Sequence, residues 1–185
     1  MPRYIAFLRA INVGGHNVKM EELRALFESL GLSNVETFIA SGNVIFESSE
    51  NAHDLQQKIE AQLYKSLGYA VATFLRTDEE IAEIACYKPF DDAKLQAAQA
   101  LIVAFLAGPL QDDAQKTLQG LSTEIDEFHV HGCEVYWLCQ VKQSQSTFSN
   151  ALFERKLKIL ATFRGWNTVQ KLAAKYPPRQ DAVKE

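Results

Sequence analysis

No apolar run in this chain is long enough to cross a bilayer. The longest after the opening, Leu101 to Ala107, falls far short of the roughly 20 residues that a spanning helix needs. The opening MPRYIAFLRAI also lacks the charged region, extended apolar stretch and small-residue cleavage site of a secretory leader, so a cytoplasmic location with no membrane partner is expected. Cysteine is scarce: Cys86, Cys133 and Cys139 form no CxxC pair and are odd in number, which excludes a disulfide framework or a zinc ribbon and leaves reduced thiols as the expectation. There is no block of lysines and arginines, and a net charge of −4 offers no general attraction to a phosphate backbone. Absent too are GxGxxG, GxxxxGK[ST] and the GxSxG elbow, so no cofactor is named and no catalytic residue is assigned. What is plentiful is material for a core: 47% of the 185 residues are hydrophobic and 10% aromatic, enough for one sizeable core or two small ones.

Residues 4 to 8, YIAFL, are apolar without a break and suit a strand covered on both faces. Met20, Leu23, Leu26, Phe27 and Leu30 then form a helical stripe that Gly31 closes. VETFIA and NVIFE read as a hairpin through Ser41-Gly42, and Leu55, Ile59, Leu63 and Leu67, closed by Gly68, mark a second helix. YAVATFL supplies a fourth strand, giving the order βαββαβ, the split βαβ or ferredoxin-like arrangement. After Thr77-Asp78-Glu79-Glu80, a capping-box start to a short helix, the pattern is strand (Ala100 to Leu106), helix (about Gln111 to Leu118), two strands around His131-Gly132, and helix again near Ser149. A last helix, Trp166 to Lys175, stops before Tyr176-Pro177-Pro178. The expected protein is therefore α+β, with a ferredoxin-like (βαββαβ) N-terminal half over 1–77. A βαββα-type C-terminal half over 78–185 follows, with a linking helix and a final helix. No residue-level repeat between the halves is apparent.

This topology makes strands one and two parallel, with strand three between them, so the loop leaving strand one and the hairpin leaving strand two share one end of the sheet. Arg9, Asn12, Gly14, Gly15, His16, Asn17 and Lys19 are thereby brought towards Ser41, Gly42 and Asn43, beside the free N–H groups of the first helical turn. Glycines admit a ligand to the backbone, asparagine and serine give directional hydrogen bonds, and arginine and lysine give charge. The set reads as a pocket for a small phosphate or carboxylate compound. The same residues also suit plain turns, with Asn17 as a helix cap. His129-x-His131-x-Cys133 alternates three metal-ligand types, but Gly132-Cys133 reads as the turn itself and no metal site is assigned. "SGNVIFES" superficially echoes a strand of RNA-recognition domains. The face that would stack bases, however, carries Asn43, Ile45 and Glu47 rather than aromatic rings. A homodimer or protein-docking module is the alternative to ligand binding, and nucleic-acid binding is the least favoured reading.

The stretch FLRAINVGGHNVKMEELRALFESLGLSNVETFIASGNVIFES closely resembles the opening of the bacterial family known as domain of unknown function 1697. Ser146 and ATFRGWNTVQKL resemble that family's second signature. The resemblance implies a ferredoxin-like first half and an α+β second half, and no established activity. The chain departs from it at Gly165, where the family usually has asparagine. It also directs attention to Arg164, Asn167, Thr168 and Lys171, which packing does not explain as it explains Trp166, Val169 and Leu172. The expectation is that the start of the last helix adds Arg164 and Asn167 to the group around Arg9 and Lys19.

Overall fold

The computed structural model describes residues 1–39 and 42–179. Contacts divide the chain into two compact units, one formed by Met1–Cys86 together with residues from Gln170 on, the other by Tyr87–Val169.

The first unit runs β1 (Arg3–Leu8), α1 (Met20–Glu28), β2 (Ser33–Phe38), β3 (Asn43–Glu47), α2 (Ala52–Leu67), β4 (Thr73–Thr77) and α3 (Asp78–Cys86). Its sheet has the order β2-β3-β1-β4 with antiparallel neighbours throughout, so β1 and β2 are parallel and both end at the same edge of the sheet. Tyr4, Ala6 and Leu8 alternate into a core with Val44 and Phe46, onto which α1 lays Leu23 and Phe27 and α2 lays Leu55, Ile59 and Leu63. On the opposite face Ile5, Phe7 and Ile45 are buried as well, which is why β1 reads as an unbroken apolar run. Local chemistry sets the helix ends. The Asn51 side chain accepts the Asp54 N–H, and α2 closes at Gly68 with φ 82°. Thr77 and Glu80 bond reciprocally at 2.7 and 3.2 Å, a complete capping box for α3.

The second unit runs α4 (Asp92–Ala97), β5 (Ala100–Phe105), α5 (Asp112–Gln119), β6 (Asp126–His131), β7 (Glu134–Cys139), α6 (Asn150–Leu157), β8 (Thr162–Gly165) and the start of α7 (Trp166–Lys175). Its sheet order, β6-β7-β5-β8, is that of the first sheet, so the C-terminal half also completes a βαββαβ. The helix–strand order of the sequence reading holds, with one short helix, α4, and one strand, β8, more. β8 has only four residues and ends on glycine, and α4 buries no side chain, so neither leaves a periodic signal.

Strand register sets positions of the two halves against each other. Phe7 faces Asn43 as Phe105 faces Glu134. This superposes Ile5-Ala6-Phe7-Leu8 on Val103-Ala104-Phe105-Leu106 and Phe46 on Trp137. On the edge strands Arg76, paired with Ile5, then corresponds to Arg164, paired with Val103. No helix among the described residues is long and apolar enough to cross a membrane.

Candidate functional site

The first-loop residues and the hairpin do meet. The Leu8 N–H donates to Gly42 O at 2.8 Å, and Gly42, at φ 79°, lies so close that a Cβ there would stand 2.5 Å from Ile11 Cγ2. From this junction the loop folds on itself. Asn12 Oδ1 accepts the Val18 N–H at 2.7 Å, the His16 ring stacks on Tyr69 at 3.8 Å, and the Tyr69 hydroxyl donates to Ile11 O at 3.2 Å. The Arg9 N–H is held by Ala72 O at 2.9 Å. Buried Asn43 donates its amide to Phe38 O at 2.9 Å.

Gly14 and Gly15, at φ 65° and 90°, have no neighbour within 4 Å of where a side chain would start, so their backbone faces open space. Asn17 is exposed and does not cap α1. The N-cap position is Lys19, in extended conformation, and its side chain makes no cap bond; among the described residues no other side chain bonds the first-turn N–H groups. Exposed Lys19 therefore stands beside an unfilled helix start, which attracts negative charge, although Glu21 and Glu22 in that turn already satisfy part of the dipole. Two non-glycine residues at this end, Ala10 and Ile39, also adopt left-handed φ, 56° and 61°. Ser41 lies outside the described residues.

The second cluster is differently built. Arg164 lies on β8, two residues before α7, and is buried. It donates to Thr162 Oγ1 at 2.8 Å and Phe163 O at 2.9 Å, and burial pushes its guanidinium down to about 10. Asn167 and Lys171 are exposed on α7. Arg164 and Asn167 belong to the second unit, Arg9 and Lys19 to the first.

Several polar arrangements were not foreseen. Asp126, buried at the start of β6, accepts the Trp137 indole N–H and the Ser146 hydroxyl, both at 2.7 Å. Ser146 is thus a tie within the fold. The Tyr87 hydroxyl and His129 Nε2 lie 2.7 Å apart, and the Tyr87 ring stacks on His131 at 4.0 Å, so the alternating histidines are engaged with tyrosine. No group of three or more His, Cys, Asp or Glu among the described residues could hold a metal. At the other end of the first sheet a cavity of about 620 Å³ is lined by Arg3, Arg24, Glu36, Glu47, Tyr176 and Arg179. Its carboxylates are already partnered. Glu36 takes the Tyr176 hydroxyl at 2.7 Å and Lys175 Nζ at 3.2 Å, while Glu47 pairs with Arg179. Tyr176 and Arg179, far along the sequence from the rest of the lining, complete this cavity, and no local pattern announces that.

Fold and site together define a two-unit α+β protein of the split βαβ type, with a loop–hairpin junction at one end of its first sheet. The chain belongs to the family described as "Protein of unknown function (DUF1697)", whose model matches residues 1–136. Among solved structures it is similar to the conserved bacterial protein SP0830 from Streptococcus pneumoniae. The identity is 25% and the TM-score 0.77, over 96% of this chain and 99% of that one. Among proteins with curated descriptions, none matches.

Proposed function

We propose that the chain binds a small anionic compound, a phosphate or carboxylate, at the junction of the first loop with the hairpin. The observation that carries this reading is the pair of left-handed glycines, Gly14 and Gly15, whose Cα atoms face open space ahead of a helix start that no side chain caps among the described residues. Consecutive N–H groups in such a turn point the same way and suit an anion. Lys19 stands at the N-cap and Arg9 at the mouth of β1, where they supply the charge. The Asn12 side chain is engaged within the loop, at the Val18 N–H, and that of Asn43 within the hairpin, at Phe38 O, so both support the site's backbone.

The test is thermal stabilisation of the full chain by inorganic phosphate, citrate and phosphorylated metabolites. Binding at a hundredfold excess over Kd adds about 2.7 kcal/mol, and a variant with Arg9→Ala and Lys19→Ala melts normally but loses the response. No shift with any member of the panel overturns the proposal. A docking role has one supporting observation: Val13 and Ile39 at the same end are 57% and 49% exposed. In that case light scattering finds a dimer, which Val13→Ser with Ile39→Ser dissociates.

A further inference from the structure

In the second unit a cleft of about 300 Å³ opens where β8 runs into α7. Half-buried Leu95 and Leu101 give it an aliphatic floor, and the half-buried Trp166 forms a wall. The side chains of Gln99, Gln143 and Asn167 stand around it. Among the described residues none of these three amides, nor the Trp166 indole N–H, is engaged in a hydrogen bond, so each donor and acceptor is available. No charged side chain lines the cleft, in contrast to the cavity of the first unit. A charged ligand would lose its hydration here without gaining a counter-ion.

Gly165 sharpens the picture. Its φ is not left-handed and a Cβ would meet nothing within 4 Å, so neither backbone nor packing demands glycine. The space that a side chain would take there belongs to the cleft. The volume lies at the small end of ligand sites, roughly 300–1,000 Å³. A flat heteroaromatic ring has two apolar faces and a polar edge. Indole wall and aliphatic floor match the faces, and amides that both donate and accept match the edge.

We propose that this cleft binds an uncharged, flat heteroaromatic compound of the nucleobase class, stacked on Trp166 and read at its edge by Gln99, Gln143 and Asn167. The site lies wholly within the second unit and stands or falls independently of the anion site.

Two tryptophans make the test internally controlled. The Trp137 indole N–H is buried and held by Asp126 at 2.7 Å, whereas that of Trp166 lies at the cleft. The full chain is titrated with adenine and uracil, and separately with glucose and inorganic phosphate, while ¹H–¹⁵N spectra follow both indole resonances and the side-chain amides. A base is expected to shift the Trp166 indole and the three amides saturably while Trp137 stays still. Gly165→Leu weakens binding at least tenfold with an unchanged melting temperature. If that variant does not fold, Trp166→Leu is expected to give the same tenfold loss. The proposal is overturned by the absence of a saturable shift with either base, by the same shift from glucose or phosphate alone, or by unaltered affinity in the folded variant.

Discussion

Gly42, Gly14 and Gly15 share positive φ, yet an added methyl group meets different surroundings at each. At Gly42 it collides with Ile11 Cγ2 at 2.5 Å and presses Leu8 Cβ at 3.2 Å, so left-handed strain and overpacking add. Gly42→Ala is expected to cost about 2–4 kcal/mol, while Gly15→Ala, with only its φ to oppose it, costs about 1–2 kcal/mol. Urea midpoints of the two variants measure the difference, and equal losses would mean that the junction is not packed as described. Ile39 is the converse case: a β-branched side chain at φ 61° and 49% exposed, strained with little burial in return. Ile39→Gly should stabilise by about 1 kcal/mol and raise Tm by about 2–4 °C in a thermal melt.

Between elements, Asp126 ties three segments together. One buried carboxylate holds β6 to β7 through Trp137 and, through Ser146, to the segment that leads into α6, where Ser146 Oγ in turn accepts the Phe148 N–H at 2.9 Å. Removing it strands buried donors, so Asp126→Ala should cost about 2–4 kcal/mol in chemical denaturation, and Asp126→Asn, which keeps one acceptor, distinctly less. Elements whose causes are local were legible in the sequence: the stripe Leu55, Ile59, Leu63 with its Gly68 stop, the Thr77–Glu80 box, and the meeting of Leu8 with Gly42, which follows from strand order alone. Asp126 and Ser146 were not read as a pair because twenty residues separate them. Likewise, sequence shows that Asn12 and Asn43 are amides, not that one bonds within the loop and the other across the hairpin. The matching tetrapeptides of β1 and β5 became visible only once Phe7 and Phe105 were seen against the same neighbouring position.

For the whole molecule, acid should act in two stages. Burial, and then the charge of His131, hold His129 below the ordinary histidine range. A base whose folded pKa is depressed withdraws stability as pH falls below its unfolded value of about 6.5. The second stage belongs to carboxylates. The hydrogen bond from Tyr176, and then Lys175, hold Glu36 low. At Glu47 burial pushes upward, but hydrogen bonds from Asn34 and Arg179 outweigh it and its pKa is also lowered. Their contribution is complete above about pH 4.5 and is lost below it as they protonate. Melting temperatures across pH 3–8 should thus fall first near 6.5, a step that His129→Gln removes, and again below 4.5, a step that Glu36→Gln diminishes.

The return of the segment from Gln170 to Arg179 to the first unit has a bearing on how the protein is made. A ribosome adding roughly 5–20 residues per second releases β1 to α3 several seconds before Tyr176 emerges. Through that interval Glu36 and Glu47 wait without the side chains that hold them in the finished molecule. The intervening unit, contiguous from Tyr87 to Val169, can complete its own sheet in the meantime. The half synthesised first is therefore the half finished last.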